Sequence, residues 1–212
     1  VSGVTRLHDR GLSAGQCAEV DANSCAIDEP WKLSNEQFAA ARSALRLRTA
    51  LLPYLATAMR STFDHSVPML RPMYYEWPEC DESYLADSLG NYAQYMIGDD
   101  IMVSPVVSRL NSSTALATLN LWLPPAPFVS LDSGYFISSG AADCGKFIHL
   151  AASINEVPIF VRQGAVVPML PVPIGGASVL GLAAAAHSSP AIEFYLFLYV
   201  GDGVVSGGGM VY

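Results

Sequence analysis

Basic residues are scarce in this chain. Lys and Arg number 11 against 19 Asp and Glu in 212 residues, for a formal charge of −8. A surface of that sign attracts neither nucleic acid nor an anionic membrane, which argues against both as partners. The four cysteines, Cys17, Cys25, Cys80 and Cys144, form no C-x-x-C pair and are not interleaved with histidine, so the usual zinc spacings are missing. Cys17 and Cys25 flank a short loop; a bridge in an oxidising compartment and free thiols both fit that spacing. His65, His149 and His187 have no partner four residues away and are not read as ligands. Long apolar runs are absent too. The segments 180–186 and 191–200 are interrupted by His187, Ser188, Ser189, Pro190 and Glu193, and neither approaches the ~20 residues of a membrane-crossing helix. No internal repeat is found. Charged residues make up 14% and hydrophobic ones 51%, a high apolar share for a free-standing soluble enzyme.

What is present begins with a helix. Ser34 followed by Gln37 has the form of a capping box, and Phe38, Ala41, Leu45, Leu52, Leu55 and Met59 recur at helical spacings, predicting a helix over 34–60. Pro53 lies inside it and predicts a kink near Leu52, because proline removes an amide donor and crowds the preceding turn. Arg46, Arg48 and Arg60 are read as facing solvent or an interface, and Trp31 as a packing residue at the helix entrance.

From 67 to 173 the pattern is β. Apolar or aromatic runs at 69–77, 95–97, 101–107, 118–123, 128–131, 147–150 and 159–167 are separated by turn chemistry, with 81–91 as an acidic surface loop. Seven short strands so spaced predict an antiparallel β-sandwich. After 173 the composition turns to Gly, Ala and Ser, and 194–200 reads as a buried strand. Gly98-Asp99-Asp100 between apolar runs is similar to the metal-binding hairpin of viral RNA polymerases. That chemistry needs a second aspartate motif and a basic template channel, which the chain lacks, and Gly-Asp is ordinary hairpin chemistry. Gly201-Asp202-Gly203 has neither the third glycine nor the following helix of a nucleotide loop.

Four blocks carry a resemblance: R-x-x-L-L-P-Y-L at 48–55, V-P-M-L-R-P-M-Y-Y-E-W-P at 67–78, Q-Y-M-I-G-D-D-I-M-V-S-P-V at 94–106 and E-V-P-I-F-V-R-Q-G-A-V-V-P-M at 156–169. In order and spacing they are similar to the α-glycosidases of glycoside hydrolase family 31. Glu29-Pro30-Trp31 resembles the segment before that family's long helix, and 207–212 the approach to its Y-E-D-D-G. The resemblance implies an α/β plus all-β chain in three parts. Residues 1–66 would be the C-terminal end of a (β/α)8 barrel, contributing its last strand-loop and helix. Residues 67–173 would be the proximal C-terminal β-sandwich, and 174–212 the truncated start of a distal β domain. Phe128 stands where the family has tryptophan.

The activity implied is retaining hydrolysis of α-linked glucosides or xylosides, without metal or cofactor. Such enzymes need two carboxyl groups on either side of the scissile bond. The family's W-x-D-M-N-like motif is absent here, so both catalytic aspartates are expected upstream and the chain alone is expected to be inactive. Asp81, Glu82, Asp87, Asp99 and Asp100 all fall in predicted β-domain loops. Arg6-Leu7-His8-Asp9-Arg10 resembles the R-L-H-G-x-R at the end of the last barrel strand, with Asp9 in place of glycine. By that resemblance His8 hydrogen-bonds a sugar hydroxyl, with Arg6 beside it as a second substrate-binding residue. The partners implied are an α-linked oligosaccharide or glycoside and the remainder of the same enzyme.

The alternative is a non-catalytic carbohydrate-binding or structural β-sandwich module, which predicts exposed aromatic platforms and independent folding of 67–173. The upstream coding sequence separates the two. Asn111-Ser112-Ser113 is an N-glycosylation sequon in a polar, turn-like stretch; it leans toward the secretory pathway and leaves localisation open.

Overall fold

The computed structural model describes residues 33–85, 94–140, 143–171 and 192–196. Its helical part is α1 (Asn35–Ala50) and α2 (Leu52–His65). Ser34 caps α1: its hydroxyl accepts the Gln37 N–H at 3.3 Å while its own N–H donates to the Gln37 side chain at 3.0 Å, satisfying two of the amides a helix start leaves open. The expected kink is a break at Leu51, with Pro53 in the first turn of α2, where its missing amide costs nothing. The second helix runs to His65, a turn further than expected, and ends on Ser66 in the left-handed region at φ 59°.

The face these helices bury differs from the stripe that spacing suggests. Leu51, Tyr54 and Ala58 are buried, whereas Leu45, Leu52, Met59 and Phe63 are exposed. The seven-residue series Phe38, Leu45, Leu52 and Met59 stays on one side, but that side is the exposed one; the sheet takes the neighbouring face with Leu51 and Tyr54.

The rest is antiparallel β. The strands are β1 (Leu70–Pro72), β2 (Tyr95–Ile97), β3 (Ile101–Val103), β4 (Ala117–Leu123), β5 (Phe128–Ser130), β6 (Phe136–Ile137), β7 (Lys146–Ala152), β8 (Ile159–Arg162), β9 (Val166–Met169) and β10 (Glu193–Leu196). A six-stranded sheet runs β1-β2-β3-β8-β5-β6, with β4 paired to β7 and β10 to β9. In the large sheet alternation sorts the two faces. Ile97, Ile101, Val103, Ile159 and Val161 pack with Leu51 and Tyr54 of the helices. Met96, Met102, Phe128 and Phe160 point the other way and share a core with Leu121, Trp122 and Leu123 of β4. The sheet is therefore a middle layer, buried on both faces, which is why its strands read as continuous apolar runs.

Several local expectations are corrected. The run 69–77 is a strand only over Leu70–Pro72, then turns into the short helix α3 (Met73–Glu76). A strand would bury Tyr75 with Met73 and Trp77; the helical turn sends Met73 and Trp77 into the core and leaves Tyr74 and Tyr75 exposed. Part of the expected acidic loop is α4 (Asp81–Leu85), with buried Ser83 donating to Cys80 O at 2.7 Å and Trp77 O at 2.9 Å. Strand β3 stops at Val103, ahead of Pro105, which has no amide to donate. The run 159–167 divides at Gly164, φ 85°, and its second half pairs with β10. That last strand is exposed along its length and not buried.

Cys80 and Cys144 form a disulfide with Cα atoms 5.3 Å apart. It ties the start of α4 to the turn before β7, beneath the edge-to-face pair Trp77–Trp122.

Candidate functional site

His8 and Arg6, the expected substrate-binding residues, lie outside the described residues, as do Asp87 and His187. Among the carboxylates expected in loops, Asp81 and Glu82 begin α4, while Asp99 and Asp100 form the β2–β3 turn with Gly98. Among the described residues, no cluster of three or more His, Cys, Asp or Glu is placed to hold a metal, and no helix is long and apolar enough to cross a membrane.

The most concentrated polar chemistry in the described chain is a joint built around that turn. Arg71, on β1 and only 5% exposed, points its guanidinium beneath it. Its Nη2 donates to the Gly98 carbonyl and, at 2.6 Å, to Asp99 Oδ1; its Nη1 lies 3.1 Å from Glu76 Oε1. The planar fork of arginine suits three acceptors at once, where lysine offers a single point charge. Glu76 also faces Arg162 at 4.0 Å. Arg162 donates from Nε to the Asp99 carbonyl at 3.1 Å and lies over the rings of Trp77 and Phe128 at 5.5 and 5.7 Å, where the ring faces attract a cation.

Tyr54 joins this cluster from α2. Its hydroxyl donates to Ile97 O at 2.9 Å and accepts the Asp100 N–H at 3.1 Å. Burial, reinforced by the nearby Asp100 carboxylate, pushes the phenol well above its ordinary range, so it stays protonated and keeps donating. Burial and the adjacent Asp99 carboxylate likewise raise Asp100, against the pull of Arg162 and Arg71. A cleft of about 500 Å³ opens beside the joint, lined by Thr57, Ser61, His65 and Arg71 among others. Among the described residues, the buried side-chain polar atoms without a partner, Thr57 Oγ1 and Arg71 Nε, belong to residues lining it.

The joint gathers one part of each motif block: Tyr54 from the first, Arg71, Glu76 and Trp77 from the second, Gly98 to Asp100 from the third and Arg162 from the fourth. What it does is mechanical. It fastens the helix pair and β1 to the β2–β3 turn and β8. Motif spacing does not single out Arg71, Glu76 or Arg162. The available signal is an arginine between Leu70 and Pro72 in an apolar run, since a charge buried there must find partners.

Gln94 is a second buried polar anchor. Its side chain donates to Trp122 O at 2.9 Å and accepts the Trp122 N–H at 2.6 Å. One amide side chain thus pairs with β4 as a strand would, and fixes β4 over the large sheet.

Residues 66–167 match the family profile described as the glycosyl hydrolase family 31 C-terminal domain. Neutral alpha-glucosidase C of Mus musculus is 31% identical over 141 residues, 66% of this chain and 14% of that protein. An alpha-xylosidase of Saccharolobus solfataricus is 25% identical over 178 residues, 83% of this chain and 22% of that protein. Among solved structures, a family 31 dextranase of Flavobacterium johnsoniae superposes with a TM-score of 0.62 at 22% identity, covering 81% of this chain and 18% of its own. The antiparallel layers are thus those of a glycoside hydrolase's C-terminal β region. Through residues 66–167 the chain carries the C-terminal domain of glycosyl hydrolase family 31. It spans less than a quarter of the length of the curated relatives it matches.

Proposed function

We propose that this chain is part of a retaining α-glycosidase that hydrolyses α-linked glucosides or xylosides. The observation that carries the reading is the match of residues 66–167 to the family's C-terminal domain, with α-glucosidases and an α-xylosidase among the relatives. In this reading 1–66 closes a (β/α)8 barrel, 67–173 is the proximal β-sandwich and 174–212 begins the distal β domain. The exposed apolar side chains of α1 and α2, with Leu45, Leu52, Met59 and Phe63 on the surface, support a barrel packed against these helices.

Retaining hydrolysis needs a carboxylate nucleophile and a carboxylic acid about 5–5.5 Å apart. The chain carries no W-x-D-M-N-like motif, and its buried Arg71 already holds Asp99 and Glu76. The catalytic aspartates therefore belong to another part of the enzyme, and this chain's contribution is the rigid support behind the barrel. His8 and Arg6 would enter the sugar pocket from the last barrel strand-loop, where an imidazole can bond a ring hydroxyl more strongly as the transition state forms.

The test compares the full-length protein with the 212-residue chain on nitrophenyl α-glucoside and α-xyloside. The full-length enzyme should turn over at least one with net retention and the chain alone neither; turnover by the purified chain overturns the assignment. In the full-length enzyme His8→Ala should lower kcat/KM about 10²–10³-fold with the melting temperature unchanged. A lowered melting temperature with kcat/KM intact would make His8 structural.

A further inference from the structure

We propose that Asn111 is an N-glycosylation site, and that the chain folds in a compartment oxidising enough to close Cys80–Cys144. The triplet Asn111-Ser112-Ser113 is by itself a common coincidence; its setting is what distinguishes it. Every residue from 107 to 116 is exposed, in the loop that leaves β3 and returns as β4. The loop is closed by its own backbone, with Asn111 N–H donating to Leu116 O and Ala115 N–H to Asn111 O, both at 2.8 Å. Ser108 Oγ braces it against Thr118 O at 2.7 Å. Within this frame the Asn111 side-chain oxygen accepts the Ser113 N–H at 2.8 Å. The amide nitrogen, which is the atom to be modified, makes no hydrogen bond among the described residues. A glycan there displaces no packed side chain and breaks no backbone bond.

The disulfide is an independent observation at a different place in the fold. Cys80 is 1% exposed and its Cα lies 5.3 Å from that of Cys144, 64 residues away, within the reach a disulfide requires. Disulfides persist where thiols are not kept reduced, and the secretory lumen that oxidises them is also where asparagine sequons are glycosylated.

The chemistry is group transfer and thiol oxidation. The Asn111 amide nitrogen attacks the anomeric carbon of a polyprenyl-diphosphate-linked oligosaccharide. The nitrogen–carbon bond forms, the carbon–oxygen bond to diphosphate breaks, the amide loses one proton and the lipid diphosphate leaves. The Cys80 and Cys144 thiols lose two protons and two electrons to a disulfide-bearing oxidase by thiol–disulfide exchange.

The experiment expresses the full-length protein from its own coding sequence in a eukaryotic cell, with no leader added, and maps its peptides by mass spectrometry. Without reduction, the Cys80 peptide should be found joined to the Cys144 peptide. Peptide-N-glycosidase should release a glycan from the 111 peptide and leave aspartate in its place. Asn111→Gln and Ser113→Ala should each abolish that release, while Ser112→Ala leaves it intact, so a variant that failed to fold would not remove the test. An unmodified Asn111 peptide in the parent protein overturns the glycan site. Free thiols at both Cys80 and Cys144 overturn the compartment.

Discussion

Replacing Tyr54 with phenylalanine removes one oxygen atom from the contact between α2 and the β2–β3 turn. That oxygen donates to Ile97 O at 2.9 Å and accepts the Asp100 N–H at 3.1 Å, with Tyr54 itself 6% exposed. Each buried group left unpaired costs ~1–3 kcal/mol, so the substitution should destabilise by about 2–4 kcal/mol. The same oxygen limits its neighbour. Gly98 holds φ +59°, and a Cβ built on it would lie 2.6 Å from the Tyr54 hydroxyl oxygen and 3.1 Å from its Cζ. Gly98→Ala therefore carries the left-handed backbone cost of about 1–2 kcal/mol and also drives the hydroxyl from its two hydrogen bonds. Its total cost should be about 3–5 kcal/mol in the parent. In the Tyr54→Phe background the obstructing oxygen is gone and chiefly the backbone cost remains. A double-mutant cycle should thus give a coupling of about 1–3 kcal/mol, the pair costing less than the sum of the single changes. Urea unfolding followed by the fluorescence of Trp77 and Trp122, both in the core, supplies the four free energies. Additivity to within ~0.5 kcal/mol would refute the reasoning.

The pH dependence of Asp100 has the opposite sign to that of a salt-bridged aspartate. Its folded pKa is raised above 3.8, first by burial and then by Asp99, so the folded state binds the proton more tightly than the unfolded chain. The resulting stability is fully present below about 3.8 and is lost as pH rises through the folded value. Asp100→Asn should therefore melt higher than the parent at pH 7, with the difference shrinking toward pH 3.5; a gain that grows on acidification would contradict this. Gln94→Leu leaves the Trp122 N–H and C=O unpaired in the core and should cost about 2–4 kcal/mol by urea unfolding, with hydrogen exchange accelerated at the Trp122 amide. Arg71→Met should cost about 3 kcal/mol, because Glu76 and the Gly98 carbonyl lose a buried partner. Arg71→Lys should recover only part of that loss by thermal melting, since its single ammonium cannot reproduce the fork.

The primary sequence determined the elements whose causes are local. The Ser34–Gln37 capping box is read from two residues three apart, and the break at Pro53 from one missing amide. Short apolar runs divided by turn residues were enough for antiparallel β, and the four motif blocks in order were enough for the family. Tertiary structure decided whatever depended on partners far away in the chain. Whether 73–77 continues as a strand or turns as a helix depends on which residues the core takes, and the core took Met73 and Trp77. The buried face of the helices was set by the sheet that meets Leu51 and Tyr54. The pairing of Cys80 with Cys144, 64 residues apart, has no signature in spacing. Arg71 meets Asp99 only because β1 and the β2–β3 turn are brought together. Local spacing encodes backbone geometry; the partners of a buried charge, thiol or amide exist only after the layers have packed.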